Sequence, residues 1–281
     1  MTLHVSTEIH FAEIATRRAT LRVEYEWIAR GRADRPLVVF LHEGLGSRSM
    51  WKDFPRTLCE RGGLRGLVYS RPGYGRSTPR GGDERWTPDF MHTQAHEVLP
   101  KLLAAVGLPE RERPWLFGHS DGGSIALLYA ARYPNAPAGV ICVAPHLFVE
   151  PVSIASIENA REAFMTTDMR SRLARHHDDV DSAFFGWNDI WLDPAFASWN
   201  IVDELRSIVC PVLAVQGEDD EYGTFAQVKS VVSAVPHTKL VKIARCGHSP
   251  HRDQPERLLS ATIDFVSSHS ASQRARSGVG G

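Results

Sequence analysis

Trp115-Leu116-Phe117-Gly118-His119-Ser120-Asp121-Gly122-Gly123-Ser124-Ile125-Ala126-Leu127-Leu128-Tyr129-Ala130-Ala131 reads as a short apolar strand, a glycine-flanked turn and an apolar helix in direct succession. A G-x-S-x-G pattern alone arises about 0.1 times by chance in a chain this long. Placed between a strand and a helix it acquires a mechanical meaning. The turn is so tight that its serine takes a strained backbone conformation, and side chains at Gly118 and Gly122 would collide. Ser120 Oγ is then held out at a helix N-terminus, which makes Ser120 the candidate nucleophile.

Outward from this turn, short apolar runs recur: Pro36–Leu41, Gly66–Tyr69, Gly139–Val143, Pro211–Val215 and Lys239–Ile243. Runs bounded by Pro, Gly or Ser suit strands buried on both faces of a parallel sheet. Helical stretches lie between them, at Asp89–Val106, Gly123–Tyr133, Thr224–Val235 and Pro255–Ser267. Ile9–Arg30 alternates more loosely and suits antiparallel edge strands. The alternation predicts a doubly wound, mostly parallel α/β sheet with helices on both faces. From His146 to Leu205 no buried-strand run occurs and amphipathic segments follow one another, which reads as an inserted helical cap. The expected organisation is a core of residues 1–145 and 206–269, a cap of 146–205 and a disordered small-residue tail of 270–281.

Composition narrows the function. The chain of 281 residues has 32 basic and 33 acidic side chains, so it lacks the positive excess of a nucleic-acid binder. No apolar run reaches the roughly 20 residues that span a bilayer, and the first residues lack the layout of a secretion signal. Cys59, Cys142, Cys210 and Cys246 form no CxxC pair, which fits free thiols in the cytoplasm rather than a zinc site.

A serine hydroxyl needs a base. Among 13 histidines, His248 stands out because Cys246-Gly247-His248-Ser249-Pro250 follows the last strand-like run, where Pro250 discourages further secondary structure. His251 is the local competitor. His119 is expected to point away from Ser120 across the sharp turn. An imidazole base needs a carboxylate to fix its tautomer. Glu218-Asp219-Asp220-Glu221 supplies the candidates after the strand ending at Val215, with Asp220 preferred and Asp219 next.

Together these residues resemble the α/β-hydrolase fold superfamily, in its serine esterase and proline iminopeptidase-like branch, over nearly the whole chain to Ser267. The elbow corresponds to Gly118–Gly122, the G-x-x-D acid loop to Gly217–Asp220, and the terminal G-H motif to Gly247-His248. The resemblance therefore implies a Ser120, Asp220, His248 triad. His42-Glu43-Gly44-Leu45-Gly46 is similar to the H-G-G-x-G oxyanion loop, and Ser70–Ser77 to the D-x-x-G-x-G-x-S turn. The resemblance assigns the oxyanion-hole N–H groups to Asp121 and Gly44, with Glu43 or Leu45 as the second donor if the loop register differs. Two departures stand out: Glu43 replaces a glycine, and Ser70 replaces an aspartate. Glu43 is expected to face solvent, to pair with Arg71 or Arg76, or to touch a polar substrate group.

The cap concentrates Phe148, Phe164, Phe184, Phe185, Trp187, Trp191, Phe196 and Trp199. Most must be packing, and Trp187 and Trp191, one helical turn apart, are the candidates for the pocket wall. The implied activity is hydrolysis of a small carboxylic ester through an acyl-enzyme. Proline iminopeptidase (with Glu43 or Glu150 holding the amine), thioesterase, lactonase and carbon–carbon bond hydrolase are alternatives on the same triad. A ligand-binding module without catalysis is the alternative from another class. No metal or organic cofactor is called for. The expected partner is a small ester-like molecule, not nucleic acid or a membrane, with a homodimer as a possible assembly.

Overall fold

A computed structural model describes residues 8–277, with side chains through residue 270. Eight strands form one sheet in the order β1-β2-β4-β3-β5-β6-β7-β8. They are β1 Ile9–Ala15, β2 Thr20–Ile28, β3 Leu37–Leu41, β4 Arg65–Tyr69, β5 Trp115–His119, β6 Gly139–Val143, β7 Val212–Gly217 and β8 Lys239–Ile243. β1 pairs antiparallel with β2 and β2 antiparallel with β4, while every other pairing is parallel. The expected doubly wound sheet is therefore present.

The helices are α1 Phe54–Gly62, α2 Phe90–Thr93, α3 Leu99–Ala105, α4 Asp121–Arg132, α5 Pro151–Thr166, α6 Met169–Leu173, α7 Val180–Trp191, α8 Phe225–Ala234, α9 Pro250–Asp253 and α10 Pro255–Ser277. None of the described helices is long and apolar enough to cross a membrane.

The central strands are buried along their whole length because both faces are covered. In β3, Leu37, Val39 and Leu41 pack into one apolar cluster and Val38 and Phe40 into the other. Successive side chains point to opposite faces, so a continuous apolar run is what such a strand requires. β8 departs from the expectation of burial on both faces. It is an edge strand with Lys239 and Lys242 exposed, and charged side chains on an edge discourage pairing with another sheet.

β4 and β5 lie on opposite sides of β3. The chain therefore reverses its winding direction there, and the loops after β3 and β5 open a crevice at the carboxyl ends of the strands. These are the loops that carry Gly44 and Ser120.

Three helical features differ from the sequence reading. The stretch 90–105 is one helical run with a π-helical segment at Gln94–Val98. Pro100 lacks an N–H and crowds the carbonyl of His96, four residues back, so the α-helical pattern cannot continue there. That carbonyl accepts the Tyr133 hydroxyl at 3.0 Å instead. Pro250 does not stop secondary structure: it opens α9, since proline is well suited to the first turn, where N–H groups lack partners anyway. The last helix runs on to Ser277, past the expected end at Ser267, so the expected disordered tail is helical over 270–277, and its remaining residues 278–281 lie outside the described residues.

Between β6 and β7 the chain forms α5, α6 and α7. Ile157, Phe164, Phe184, Trp187 and Trp191 from these helices belong to the same apolar cluster as β3 and α4. His177 ties this segment to the core on both ring nitrogens. Gly75 N–H donates to Nδ1 at 3.0 Å, so Nε2 carries the proton and donates to the Leu45 carbonyl at 3.1 Å.

Candidate active site

Ser120 sits between β5 and α4 with φ 53° and ψ −123°. A residue with a β-carbon is costly there, and the surrounding packing enforces it. A β-carbon on Gly118 would lie 2.1 Å from the Gly122 carbonyl oxygen, and one on Gly122 would lie 2.1 Å from that of Leu41. Both glycines are therefore demanded by contact. The Ser120 N–H donates to the Val143 carbonyl at 2.9 Å, which fixes the turn to β6.

His248 Nε2 lies 3.0 Å from Ser120 Oγ, and His248 Nδ1 lies 2.9 Å from Asp220 Oδ1. For the serine hydroxyl to donate to Nε2, Nδ1 must hold the ring proton and donate it to Asp220. Asp220 is held in turn: Oδ1 accepts the N–H groups of Tyr222 and Gly223, and Oδ2 accepts Gln216 Nε2. Burial pushes the Asp220 carboxyl up, but the His248 hydrogen bond and charge outweigh this and hold it below its ordinary value. Asp219 is exposed and uses its backbone N–H to bond Cys246 O. Gly217 lets the two loops meet, since a β-carbon on it would lie 2.2 Å from that same carbonyl.

His251, the competing base, is buried against Trp51 and His119, and its two ring nitrogens have no hydrogen-bond partner among the described residues. Burial pushes it down to about 3. His119 is not idle. Its Nε2 donates to the His248 carbonyl at 2.7 Å, and its Nδ1 lies 3.5 Å from Glu43 Oε2.

The loop 42–46, where the second oxyanion-hole donor is expected, is held by the Glu43 carbonyl. Arg71 N–H donates to His42 Nε2 at 2.9 Å, so His42 Nδ1 carries the proton and donates to the Glu43 carbonyl at 2.7 Å. Arg71 Nη2 at 2.8 Å and Gly46 N at 3.1 Å donate to the same oxygen. In a trans peptide the C=O and the following N–H point in opposite directions, so pinning the Glu43 carbonyl orients Gly44 N–H the other way. A β-carbon on Gly44 would lie 2.2 Å from Trp187 Nε1, so this indole of α7 lies directly on the glycine.

The expected partners of Glu43 are corrected here. Its carboxylate meets His119 and, at 3.5 Å, Arg252, whereas Arg71 bonds only its backbone carbonyl. Arg76 gives its backbone N–H to Glu24. Glu24 also answers the departure at Ser70: Ser70 Oγ donates to Glu24 Oε2 at 2.7 Å, so strand β2 supplies the carboxylate absent from position 70. Glu150 does not line the cavity. It binds Thr224 and Gln227.

Around Asp121 lies a buried polar group that sequence patterns did not bring together. No hydrogen bond of good geometry reaches the Asp121 carboxylate, Arg71 Nε and Nη1, Tyr74 Oη or Trp191 Nε1. Burial pushes the Asp121 carboxyl up to about 6, against the pull of the Arg71 guanidinium and the Trp191 indole N–H.

A cavity of about 540 Å³ opens above Ser120. Of the eight cap aromatics in the sequence cluster, Trp187 and Trp191 line it, beside His146, Ile157, Leu173 and Tyr222. The other six are packing or peripheral. His146, Tyr222, Lys52, Arg172 and Arg252 also line it, and no motif or periodicity marked them.

Sheet, elbow and cavity together describe a hydrolase of the α/β type. Residues 38–261 match the model of the Alpha/beta hydrolase family, and the chain belongs to that family. It is 26% identical over 274 residues to a bifunctional esterase/perhydrolase of Acinetobacter calcoaceticus, covering 85% of this chain and 94% of that one. It is 22% identical over 261 residues to a 2-hydroxy-6-oxo-6-phenylhexa-2,4-dienoate hydrolase of Burkholderia cepacia, covering 82% and 87%. Its fold is similar to that of a malate-bound esterase from Thermogutta terrifontis, with a TM-score of 0.70 at 20% identity over 93% of this chain and 99% of the other.

Proposed function

We propose that the protein hydrolyses a small carboxylic ester, with Ser120 as nucleophile, His248 as general base and acid, and Asp220 orienting the imidazole. The observation that carries this reading is the unbroken relay from Ser120 Oγ to His248 Nε2 at 3.0 Å and from His248 Nδ1 to Asp220 at 2.9 Å, at the floor of a cavity. Ser120 Oγ attacks the ester carbonyl and its proton passes to His248 Nε2. The carbonyl electrons collapse onto oxygen, which rests against the N–H group of Asp121 at the N-terminus of α4 and that of Gly44 in the loop after β3. The C–O bond breaks, the alcohol leaves with the proton from His248, and water repeats the sequence on the acyl-enzyme. A cavity of about 540 Å³ suits a compact substrate. Trp187 and Trp191 form an aromatic wall for the apolar part of that substrate.

A free-amine substrate is disfavoured: Glu150 is engaged away from the cavity, and Glu43 already faces His119 and Arg252. Carbon–carbon bond hydrolysis is the second reading, favoured by the similarity to the dienoate hydrolase. A panel of p-nitrophenyl esters, acyl-CoAs, lactones, prolyl-arylamides and vinylogous 1,5-diketones separates the readings. A fluorophosphonate probe is expected to label Ser120, and Ser120→Ala to abolish both labelling and turnover. Residual turnover within about tenfold of the parent would overturn the nucleophile assignment.

A further inference from the structure

The cavity is not electrically neutral. Its buried end holds Ser120, His146, His248, Trp187 and Trp191, whereas its exposed end holds Lys52, Arg172 and Arg252. These cations come from three separate places: the residue after Trp51, helix α6 in the cap, and helix α9 beside His248. They therefore converge on the entrance from both the core and the cap. The chain as a whole has 32 basic and 33 acidic side chains, so this convergence is not the background of a basic protein.

The carboxylates nearby leave the charge largely uncompensated. Glu43 is the one acidic residue among those lining the cavity. It lies 3.5 Å from Arg252 and from His119, so of the three entrance cations it pairs with Arg252 alone. Arg172 lies 3.5 Å from Asp168, but both side chains are more than half exposed, where water screens such a pair. Lys52 has no ion pair among the described residues, and it is exposed. His176, also in the wall, is drawn down by burial and then by the charges of Arg252 and Lys52, as expected if all three share one entrance.

Resting on the serine-esterase reading, we propose that the substrate of this site is an ester carrying a carboxylate at the end remote from the scissile bond. The apolar and reactive part of the molecule lies against Trp187 and Ser120. The carboxylate stays at the entrance, where Lys52 from the core, Arg172 from α6 and Arg252 from α9 supply positive charge. Opposite charge at a partly enclosed entrance raises both the capture rate and the occupancy of such a substrate, and salt weakens the effect.

The test compares esters matched in shape. Mono-p-nitrophenyl adipate against p-nitrophenyl hexanoate places the charge on the acyl side, and 4-acetoxybenzoate against 4-acetoxybenzamide places it on the alcohol side. In at least one pair the kcat/KM ratio of anion to neutral is expected to exceed one by about tenfold at low ionic strength. Half a molar sodium chloride and the Lys52→Gln/Arg172→Gln variant should each pull that ratio towards one. Which pair responds identifies the side that faces the entrance. Ratios at or below one in both pairs, or a preference untouched by the double variant, would overturn the proposal. Fluorophosphonate labelling of Ser120 keeps the two readings apart. If Ser120 labels but no ester turns over, the esterase reading fails. Adipate is still expected to slow labelling of the parent more than of the double variant, and equal slowing would refute the anion site.

Discussion

Asp220 is the residue at which a one-atom change tests the most geometry. Its Oδ1 accepts from His248, Tyr222 and Gly223, and its Oδ2 from Gln216. Asp220→Asn keeps the shape but replaces one acceptor oxygen by a donor and removes the charge that stabilises an imidazolium. The expected loss is about 10⁴ in kcat, with Asp219→Asn close to the parent, measured by steady-state ester hydrolysis. A damaging Asp219→Asn beside a benign Asp220→Asn would contradict the relay. Arg71 poses a different question, because it touches no reacting atom. It bonds the Glu43 carbonyl and faces the buried Asp121 carboxylate, so it positions both segments proposed to form the oxyanion hole. Arg71→Gln should lower kcat by about 10- to 100-fold with a much smaller change in KM, less than the loss of a direct donor. A loss confined to KM would mean that Arg71 contacts substrate rather than shaping the oxyanion loop.

At the scale of elements, the loop 42–46 and the segment of α5 to α7 meet at Leu45, whose carbonyl accepts His177, and at Gly44 beneath the Trp187 indole. A methyl group at residue 44 would lie 2.2 Å from Trp187 Nε1, so Gly44→Ala must displace either the loop or the indole. Activity should fall at least about tenfold in Gly44→Ala, and Trp187→Phe should restore part of it by withdrawing the five-membered ring. A double variant no better than Gly44→Ala would show that the loop, not the indole, absorbs the clash; the energies are expected to be non-additive because the groups touch. This contact also shows where sequence reading stops. Gly118, Ser120 and Gly122 were legible because strand, turn and helix are adjacent in the chain and the turn tolerates few residues. The bonds of His42, Arg71 and Glu43 join the ends of β3 and β4, and the cations at the entrance join three distant segments. No periodicity records such meetings, so His146 and Lys52 passed unmarked, and Arg71 was marked only as a partner for the Glu43 side chain, not for its carbonyl. Glu43 was marked as a departure, but its partners His119 and Arg252 come from other loops.

Across the whole molecule, folding buries histidines that titrate freely in an unfolded chain. Burial pushes His146 down to about 3, His251 to about 3 and His177 to about 4, and holds His42 well below its usual range. An unfolded histidine binds its proton near 6.5, so below that pH the unfolded state binds protons that the native state excludes. Stability therefore rises with pH through this window and is lost as pH falls from about 6.5 towards the folded values. Each such group adds up to about 1.4 kcal/mol per pH unit. Asp121 works in the opposite sense. Raised to about 6, it takes up a proton in the native state before the unfolded one does and offsets one histidine between about 6 and 4. The histidines outnumber it, so acid should unfold the protein well before its carboxylates titrate. His251 isolates the effect, because it is packed against Trp51, Phe54 and His119 with neither ring nitrogen bonded. His251→Phe fills the same space with a ring that cannot take a proton. Urea unfolding between about pH 7 and about pH 5 should give a slope of stability against pH that is shallower in the variant by about one proton. Stability near neutral pH should be equal or higher in the variant, since the parent residue is largely uncharged there and Phe removes two buried, unbonded ring nitrogens. An unchanged slope would show that His251 takes up its proton in the folded protein as readily as in the unfolded chain.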